Sequence, residues 1–265
     1  ASYILRMPYL KGRLTGFFTE IENTAETNFF YTETALTDEI DRDFVAQTVE
    51  GIKKRHFGLE FGAEAQLIPT LKLTAVASVG QYTYINNPSL YISSGEVNKA
   101  IDEVTMKNYH VPSGPQQAYS LGLEYRHPKY WWIGATANFL AQNYVSLSAL
   151  NRTSQFFIDP TTKAPFTNID TDLARKLLKQ ERLDDVFLVN LVGGKSWRLN
   201  KTYVSLMVSV NNLFDTQFLS GGFEQSRTAN YGKMVQDNAQ GVPSFGNRYF
   251  VGYGRTYMVN LAMSL

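Results

Sequence analysis

The sequence predicts an all-β fold, an antiparallel transmembrane β-barrel segment, and three observations carry that prediction. Apolar and polar residues alternate over stretch after stretch, tight turns alternate with long polar connections, and aromatic residues gather beside the tight turns. A β-strand points successive side chains to opposite faces, so strict alternation makes a sheet with one apolar and one hydrated face. A soluble sandwich also contains such strands. Long connections at one end and short turns at the other are instead the mark of an outer-membrane barrel.

The first strands are the least regular: residues 3–9, a turn at Lys11-Gly12, then residues 14–23. The clearest strand follows. Phe57, Leu59, Phe61, Ala63, Ala65 and Leu67 point one way, and Gly58, Glu60, Gly62, Glu64 and Gln66 the other. Two carboxylates on one face are unfavourable in a dry core and need no special partner against a watery lumen. The chain turns at Ile68-Pro69-Thr70 and returns over residues 71–84, with Leu71, Leu73, Ala75, Ala77 and Val79 on the apolar face. Residues 117–127 set Tyr119, Leu121, Leu123 and Tyr125 against Ser120, Gly122, Glu124 and Arg126. A turn at His127-Pro128-Lys129 leads into residues 130–145, and a third pair covers 186–197 and 203–214 around Leu199-Asn200-Lys201. The final strand, 248–265, places Tyr257, Val259, Leu261, Met263 and Leu265 on one face. The count comes to about nine strands.

Long connections fall at 24–45, 85–115, 146–184 and 215–247. Loops beyond about 15 residues are uncommon in compact domains and are usually functional or disordered. One of them carries a predicted short helix over 170–183, capped by Asp170 or Thr171. Its stripe of Leu173, Ala174, Leu177 and Leu178 is expected to pack on neighbouring loops. Tyr130, Trp131, Trp132, Trp197 and Tyr203 stand beside the turns, as an interfacial girdle requires.

Composition narrows the function classes. The 25 basic and 24 acidic residues leave a net charge of +1, which argues against a dedicated nucleic-acid binder. Tyr and Phe, 16 and 17 of them, suit surfaces that are apolar on one side and wet on the other. A mean hydropathy of -0.23 does not speak against a barrel, whose lipid-facing residues are diluted by lumen and loop residues. No uninterrupted apolar run is long enough for a transmembrane helix. With no cysteine, disulfides, thiolate metal sites and cysteine nucleophiles are excluded.

Chemistry-bearing residues are sparse. His56, His110 and His127 fall at a strand entry, in a loop and in a tight turn, so the reading expects neither a catalytic triad nor a metal or cofactor site. Glu60, Glu64, Glu124 and Arg126 are expected to face the lumen, hydrated or paired, or alternatively as a ring that selects cargo. Glu33, Asp38, Glu39, Asp41 and Asp43, interrupted by Arg42, form an acidic loop without the ligand spacing of an EF-hand. Gly221-Gly222 and Tyr231-Gly232 lack the strand-to-helix context of a phosphate cradle, and Asn151-Arg152-Thr153 is a sequon by pattern only. Phe218, Phe223, Tyr231 and Phe245, in a connection rich in Asn, Gln and Ser, are candidate ligand contacts suited to a sugar, a peptide or a chelate, or alternatively part of a loop that folds over the barrel mouth.

The segment Asn211-Asn212-Leu213-Phe214-Asp215, the long loop after it and the strand opened by Gly254-Arg255 resemble the carboxyl end of a TonB-dependent outer-membrane receptor or transporter. In that family an Asn-Leu-Phe-Asp element ends the penultimate strand and a Gly-Arg element precedes the last. The alternation from Tyr257 to Leu265 is similar to the signal read by the barrel-assembly machinery. That signal closes on an aromatic residue where this chain has Leu265. The motif lies in the last part of the chain, while the hairpin rhythm spans nearly all of it.

The resemblance implies a 22-stranded barrel whose lumen holds an amino-terminal plug, with a TonB-contacting box before it. Residues 1–265 are then expected to be the carboxyl-terminal part of that barrel, roughly two-fifths of it, with the plug outside this sequence. The start at Ala1-Ser2-Tyr3 shows no basic region followed by an apolar one, which fits a processed chain or one that begins partway through a longer protein. Implied partners are outer-membrane lipid, the remaining barrel and plug, TonB in the periplasm, the barrel-assembly machinery, and surface lipoproteins or other envelope proteins. The expected role is non-enzymatic import of a bulky scarce solute (siderophore, vitamin, glycan or peptide) by a multi-pass protein of the bacterial outer membrane. Two alternatives stay open: an independent small barrel acting as enzyme or adhesin, and a structural barrel subunit of a larger envelope complex.

Overall fold

In chain order the strands of the computed structural model are β1 (Ser2–Arg6), β2 (Leu10–Tyr31), β3 (Phe44–Ile68), β4 (Leu71–Tyr84), β5 (Ser89–Ser94) and β6 (Val97–Glu103). After them come β7 (Gln117–His127), β8 (Trp131–Ala141), β9 (Val186–Leu199), β10 (Thr202–Asn211), β11 (Leu219–Phe223), β12 (Arg248–Val251) and β13 (Thr256–Ser264). Two helices, α1 (Thr171–Leu177) and α2 (Tyr231–Gln240), lie in the long connections. The structure describes residues 1–32, 40, 43–95, 97–112, 114–227 and 230–264. Glu33, Asp38, Glu39, Asp41 and Arg42 of the acidic loop, and Leu265, lie outside the described residues.

Nine strands form one antiparallel wall in the order β1-β2-β3-β4-β7-β8-β9-β10-β13, the β5–β6 hairpin attaches to β3, and β11 pairs with β12 in a separate small sheet. The wall is an open path: among the described residues no β1–β13 pairing closes it. Register carries the predicted alternation from strand to strand. Leu14, Phe61, Ala77, Tyr119, Phe139 and Phe187 are successive partners across six strands, and Tyr257, Val259, Leu261 and Met263 continue the same face on β13. These side chains have no protein neighbour layer: Leu59 is 58% exposed, Leu121 55% and Leu261 66%. Along β3 the apolar stripe from Phe57 to Leu67 spans about 25 Å once a barrel tilt is allowed for, the height of an outer-membrane barrel's apolar band.

The hydrophobic core sits beyond the loop end of the wall. Val45, Val49 and Ile52 of β3 and Tyr84 of β4 pack with Leu90 and Ile92 of β5, and with Val104, Met106, Val111 and Leu150 of the connections. A second cluster joins Phe156, Ala174 and Tyr231 between α1 and α2. Helix α1 follows its predicted cap: the Asp170 carboxylate accepts from the N–H groups of Asp172 and Leu173.

Several expectations change. The first turn is at Met7-Pro8-Tyr9, where Met7 N donates to Leu10 O, and Lys11 and Gly12 are in the ladder opposite Arg6 and Leu5. Pro8 has no N–H to give a ladder, so the turn forms around it. The 24–45 connection is mostly strand: β2 and β3 run on beyond irregularities near Thr24, where Asn23 and Gly51 take positive φ, and pair as far as Tyr31 with Phe44. Connections 85–115 and 215–247 hold the β5–β6 hairpin, and β11 with α2. The final strand is two, β12 and β13, separated at 252–255. Of the expected girdle, Trp131 and Trp197 are on the apolar face, with the Trp131 ring 4.9 Å from His127 and 5.4 Å from Tyr125. Trp132 and Tyr203 fall on the opposite face, because Trp132 pairs with Arg126 and Tyr203 with Arg198.

Candidate functional site

The polar face of the wall carries a charge ladder near its turn end. Glu64 lies 4.0 Å from Lys11 and 3.5 Å from Lys72; Lys72 is 3.9 Å from Glu124, which accepts from Arg126 at 2.6 Å. Arg126 then covers the Trp132 ring at 5.6 Å. Alternating signs leave each group paired while still in reach of water, so every bond is worth little by itself. Glu60 shares this face further from the turns, opposite Ser78 and Thr15. The register thus brings Glu64, Glu124 and Arg126 together.

The Asn211–Asp215 segment ties the end of β10 to the start of β13. Asn212 is buried with φ 51, a conformation that Asn tolerates better than most residues. Its Nδ2 donates to Thr216 O and Tyr253 O, its Oδ1 accepts from Thr216 N, and its own N–H donates to Asn190 Oδ1. Leu213 N donates to Val189 O. Asp215 Oδ1 accepts from Arg255 N at 2.7 Å, and a Cβ on Gly254 would fall 2.8 Å from that oxygen. Any larger residue at 254 would therefore push the Asp215 carboxylate off this bond. Phe214 projects outward and is exposed. Asn211, at the last rung of β10, donates to Thr256 Oγ1.

Above the loop end, three connections lock into one cap. Arg152, buried, donates through both Nη atoms to the Glu224 carboxylate and also reaches Ser148 O and Leu178 O. Ser148 N donates to Glu224 as well, and the Ser148 and Ser226 hydroxyls are 2.6 Å apart. Gln180 accepts from His110 N and donates to His110 O and Val145 O, while Tyr109 OH donates to Leu178 O. The His110 ring stacks on Tyr144 at 3.9 Å and approaches Gln116, and burial lowers its pKa. His56 and His127 sit elsewhere on the wall, and among the described residues no metal-binding group forms.

Two hollows flank the Glu224-Gln225 backbone. One, about 410 Å³, lies between residues 151–181 and 224–249 and is lined by Asn151, Glu181, Asn247, Tyr249 and Phe245 among others. Tyr249 OH donates to both Glu181 oxygens at 2.9 Å, and Asn247 Nδ2 donates at 2.5 Å. Burial and then Glu181 raise the Tyr249 pKa. The other hollow, about 450 Å³, is lined by Tyr31, Phe223, Phe250, Gln47 and Arg227. Arg227 links the two, stacked on Phe245 at 4.5 Å and on Tyr31 at 5.3 Å.

The aromatic ligand-contact candidates separate accordingly. Phe223 and Phe245 line hollows, whereas Phe218 covers Gly252. Tyr231 is turned into the cap core, with ring neighbours Phe156, Phe157 and Phe166, and its OH accepts from Asp170 N; it offers no open surface to a ligand. Arg152, Glu224, Asn151 and Glu181 were not anticipated as site residues, since their partners lie far away in sequence.

The family model described as TonB dependent receptor-like, beta-barrel, matches residues 5–213. No curated protein sequence matches the chain. Among solved structures, the copper transporter OprC is 16% identical, with a TM-score of 0.53 over 97% of this chain and 29% of its own. The ferripyoverdine receptor of the outer membrane of Pseudomonas aeruginosa is 16% identical, with a TM-score of 0.47 over 96% of this chain and 24% of its own. The ferric yersiniabactin uptake receptor FyuA from Yersinia pestis is 14% identical, with a TM-score of 0.46 over 98% of this chain and 35% of its own. The chain therefore spans about a third or less of the length of these proteins.

Proposed function

The chain belongs to the TonB-dependent receptor β-barrel family, and from that premise we propose that residues 1–265 form the carboxyl-terminal barrel part of an energised outer-membrane transporter. The apolar face meets lipid, the face bearing Glu64, Lys72 and Glu124 meets the lumen, the tight turns are periplasmic and the cap is extracellular. An unpaired strand edge is not tolerated in lipid. The open edges of β1 and β13 are therefore expected to pair with the remaining strands of a 22-stranded barrel. The luminal ladder meets an amino-terminal plug, and TonB acts on that plug-bearing part from the periplasm. Asn211–Asp215 and Gly254-Arg255 hold the last hairpin in the form that the barrel-assembly machinery handles. Surface lipoproteins or other envelope proteins are expected partners at the cap.

The observation that carries this reading is the cap: three long connections from one end of the wall, joined by a buried ion pair around hollows of ligand size. Its task is capture of a bulky scarce solute and gated passage, with no covalent step. The compared proteins are named for copper, ferripyoverdine and ferric yersiniabactin. The cargo classes that suit the cap of this chain are siderophore, vitamin, glycan and peptide.

The test is depletion of solutes from a complex medium by strains lacking the parent gene or TonB. We expect at least one solute whose uptake needs both. Depletion that is unchanged by loss of the parent gene, or independent of TonB, overturns the reading.

A further inference from the structure

We propose that a trough over Gly193 on the apolar face of the wall, with Lys195 at its turn end, binds a single anionic phospholipid of the periplasmic leaflet. The inference rests on the reading above for which face meets lipid and which end is periplasmic. Lys195 pairs with Trp131 of β8 and Leu206 of β10, so it shares the apolar face with Ile133, Gly193, Trp197 and Val208. Among the described residues of β7, β8, β9, β10 and β13 it is the one lysine, arginine or carboxylate side chain on that face. A charged side chain facing lipid is unfavourable unless its head reaches the polar interface. Lys195 stands where that is met: Trp131 opens β8 directly after a tight turn, and Trp197 and His127 lie beside it, an aromatic belt at headgroup level. The Lys195 ammonium is 5.5 Å from the Trp197 ring, and no carboxylate of the described residues pairs with it. A ring face attracts the charge without cancelling it. An anion at headgroup depth completes the pairing.

The trough supplies the rest of the lipid site. Gly193 lies between Ile133 on one neighbouring strand and Val208 on the other. Because it has no side chain, a hollow of about 290 Å³ opens there, walled by Ile133, Leu206, Val208 and Val210 with Leu191 at the far end. Its walls are two strand spacings apart, about 10 Å between backbones, which leaves room for one acyl chain laid along the strands. An apolar trough accepts any acyl chain, so the head of the lipid decides. Phosphatidylglycerol brings a phosphate whose charge is uncancelled, whereas phosphatidylethanolamine brings its own ammonium toward Lys195. The flanking turns add Lys129 and Lys201 and no carboxylate. The indole N–H groups of Trp131 and Trp197 only donate, which suits phosphate and glycerol oxygens. A protein partner seated on this face would instead bury the Lys195 charge against apolar surface.

The experiment is native mass spectrometry of the intact receptor, delipidated in detergent and titrated with phosphatidylglycerol or with phosphatidylethanolamine of the same acyl chains. We expect the first phosphatidylglycerol to be held about fivefold more tightly, the scale of one lysine at a membrane surface. Lys195→Gln should remove that preference and leave phosphatidylethanolamine binding unchanged. Gly193→Val fills the trough with a side chain that strands favour, and should weaken both lipids severalfold. Heat-modifiable migration reports folding, and the exposed Lys195→Gln carries the test where Gly193→Val fails to fold. Lys129→Gln, in the neighbouring turn, should leave the preference in place. Equal retention of the two lipids by the unmodified receptor overturns the proposal. So does a preference that survives Lys195→Gln or is abolished equally by Lys129→Gln, or a folded Gly193→Val that holds both lipids as before. TonB-dependent solute depletion is measured in parallel. Depletion without the lipid preference rejects this inference alone, and the preference without TonB-dependent depletion rejects only the transport reading.

Discussion

The wall and the cap solve the same problem, apolar surface in water, in opposite ways. In the wall, Leu59, Leu121, Val259 and Leu261 stand more than half exposed on one face of a sheet only one layer thick. Lipid is the other half of that core, so the protein supplies only alternation and register. In the cap, Ile52, Leu90, Ile92, Val104, Leu150 and Phe156 are fully buried, because there the surroundings are water and the chain must cover itself. Polar groups follow the same division. Wall charges such as Glu64 and Lys72 stay partly exposed on the polar face, whereas the cap takes Arg152 out of water and must neutralise it with Glu224. The wall is therefore tolerant of inner-face substitutions and sensitive on its lipid face. The cap is sensitive wherever a buried group loses its partner.

The largest expected effect is on the cap. Glu224→Gln leaves the Arg152 guanidinium buried without a counter-charge, which should destabilise the cap by about 3–5 kcal/mol. Hydrogen exchange should report it as lost protection in residues 143–183 and 219–250, with β7–β10 retaining theirs. Equal loss in the wall would show that cap and wall unfold together, and would break the comparison. Next in size is a paired substitution on β13. Leu261→Arg faces lipid and should cost about 2–4 kcal/mol in folding into vesicles, while Asn260→Arg, its neighbour toward the lumen, should cost well under half of that. Equal effects at the two positions would mean that the face assignment is wrong.

The wall was legible in the sequence because its information is local. Period-two alternation needs no knowledge of distant residues, and the tight turns at Ile68-Pro69-Thr70, His127-Pro128-Lys129 and Leu199-Asn200-Lys201 set the hairpins. The first turn is misplaced by a few residues because Lys11-Gly12 reads as one and Pro8 is passed over. The cap was illegible because its partners are remote: Arg152 and Glu224 are 72 positions apart, and His110 and Gln180 are 70 apart. Thus Asn151-Arg152-Thr153 stood out only as a sequon pattern, although Arg152 is the cap's central cation and Asn151 lines its hollow. Tyr231 read as a loop aromatic because helix α2 was not anticipated. Its signals were present in Asn230, whose side chain accepts from Lys233 N, and in Gly241 at φ 73. Across ten residues, Tyr231, Met234 and Val235 were too few to announce an apolar face.

The smallest expected effect is a pH dependence that belongs to the cap alone. His110 joins the cap's elements through its backbone bonds with Gln180, and its ring stacks on Tyr144 beside Gln116. Burial lowers its pKa in the closed cap, against a smaller upward contribution from Gln116. The opened cap returns the ring to its ordinary value, so on acidification the opened form takes up the proton first. Stability from this residue is then full above about pH 6.5, declines as the pH falls below it, and levels off beneath the lowered value. The ring is only partly withdrawn from water, so the change should be modest and confined to protection factors around residues 109–111, 144–145 and 180. His110→Gln should flatten that dependence while leaving the protection of β7–β9 untouched. A decline in the wall over the same pH interval, or one that persists in the His110→Gln variant, would assign the titration to another group.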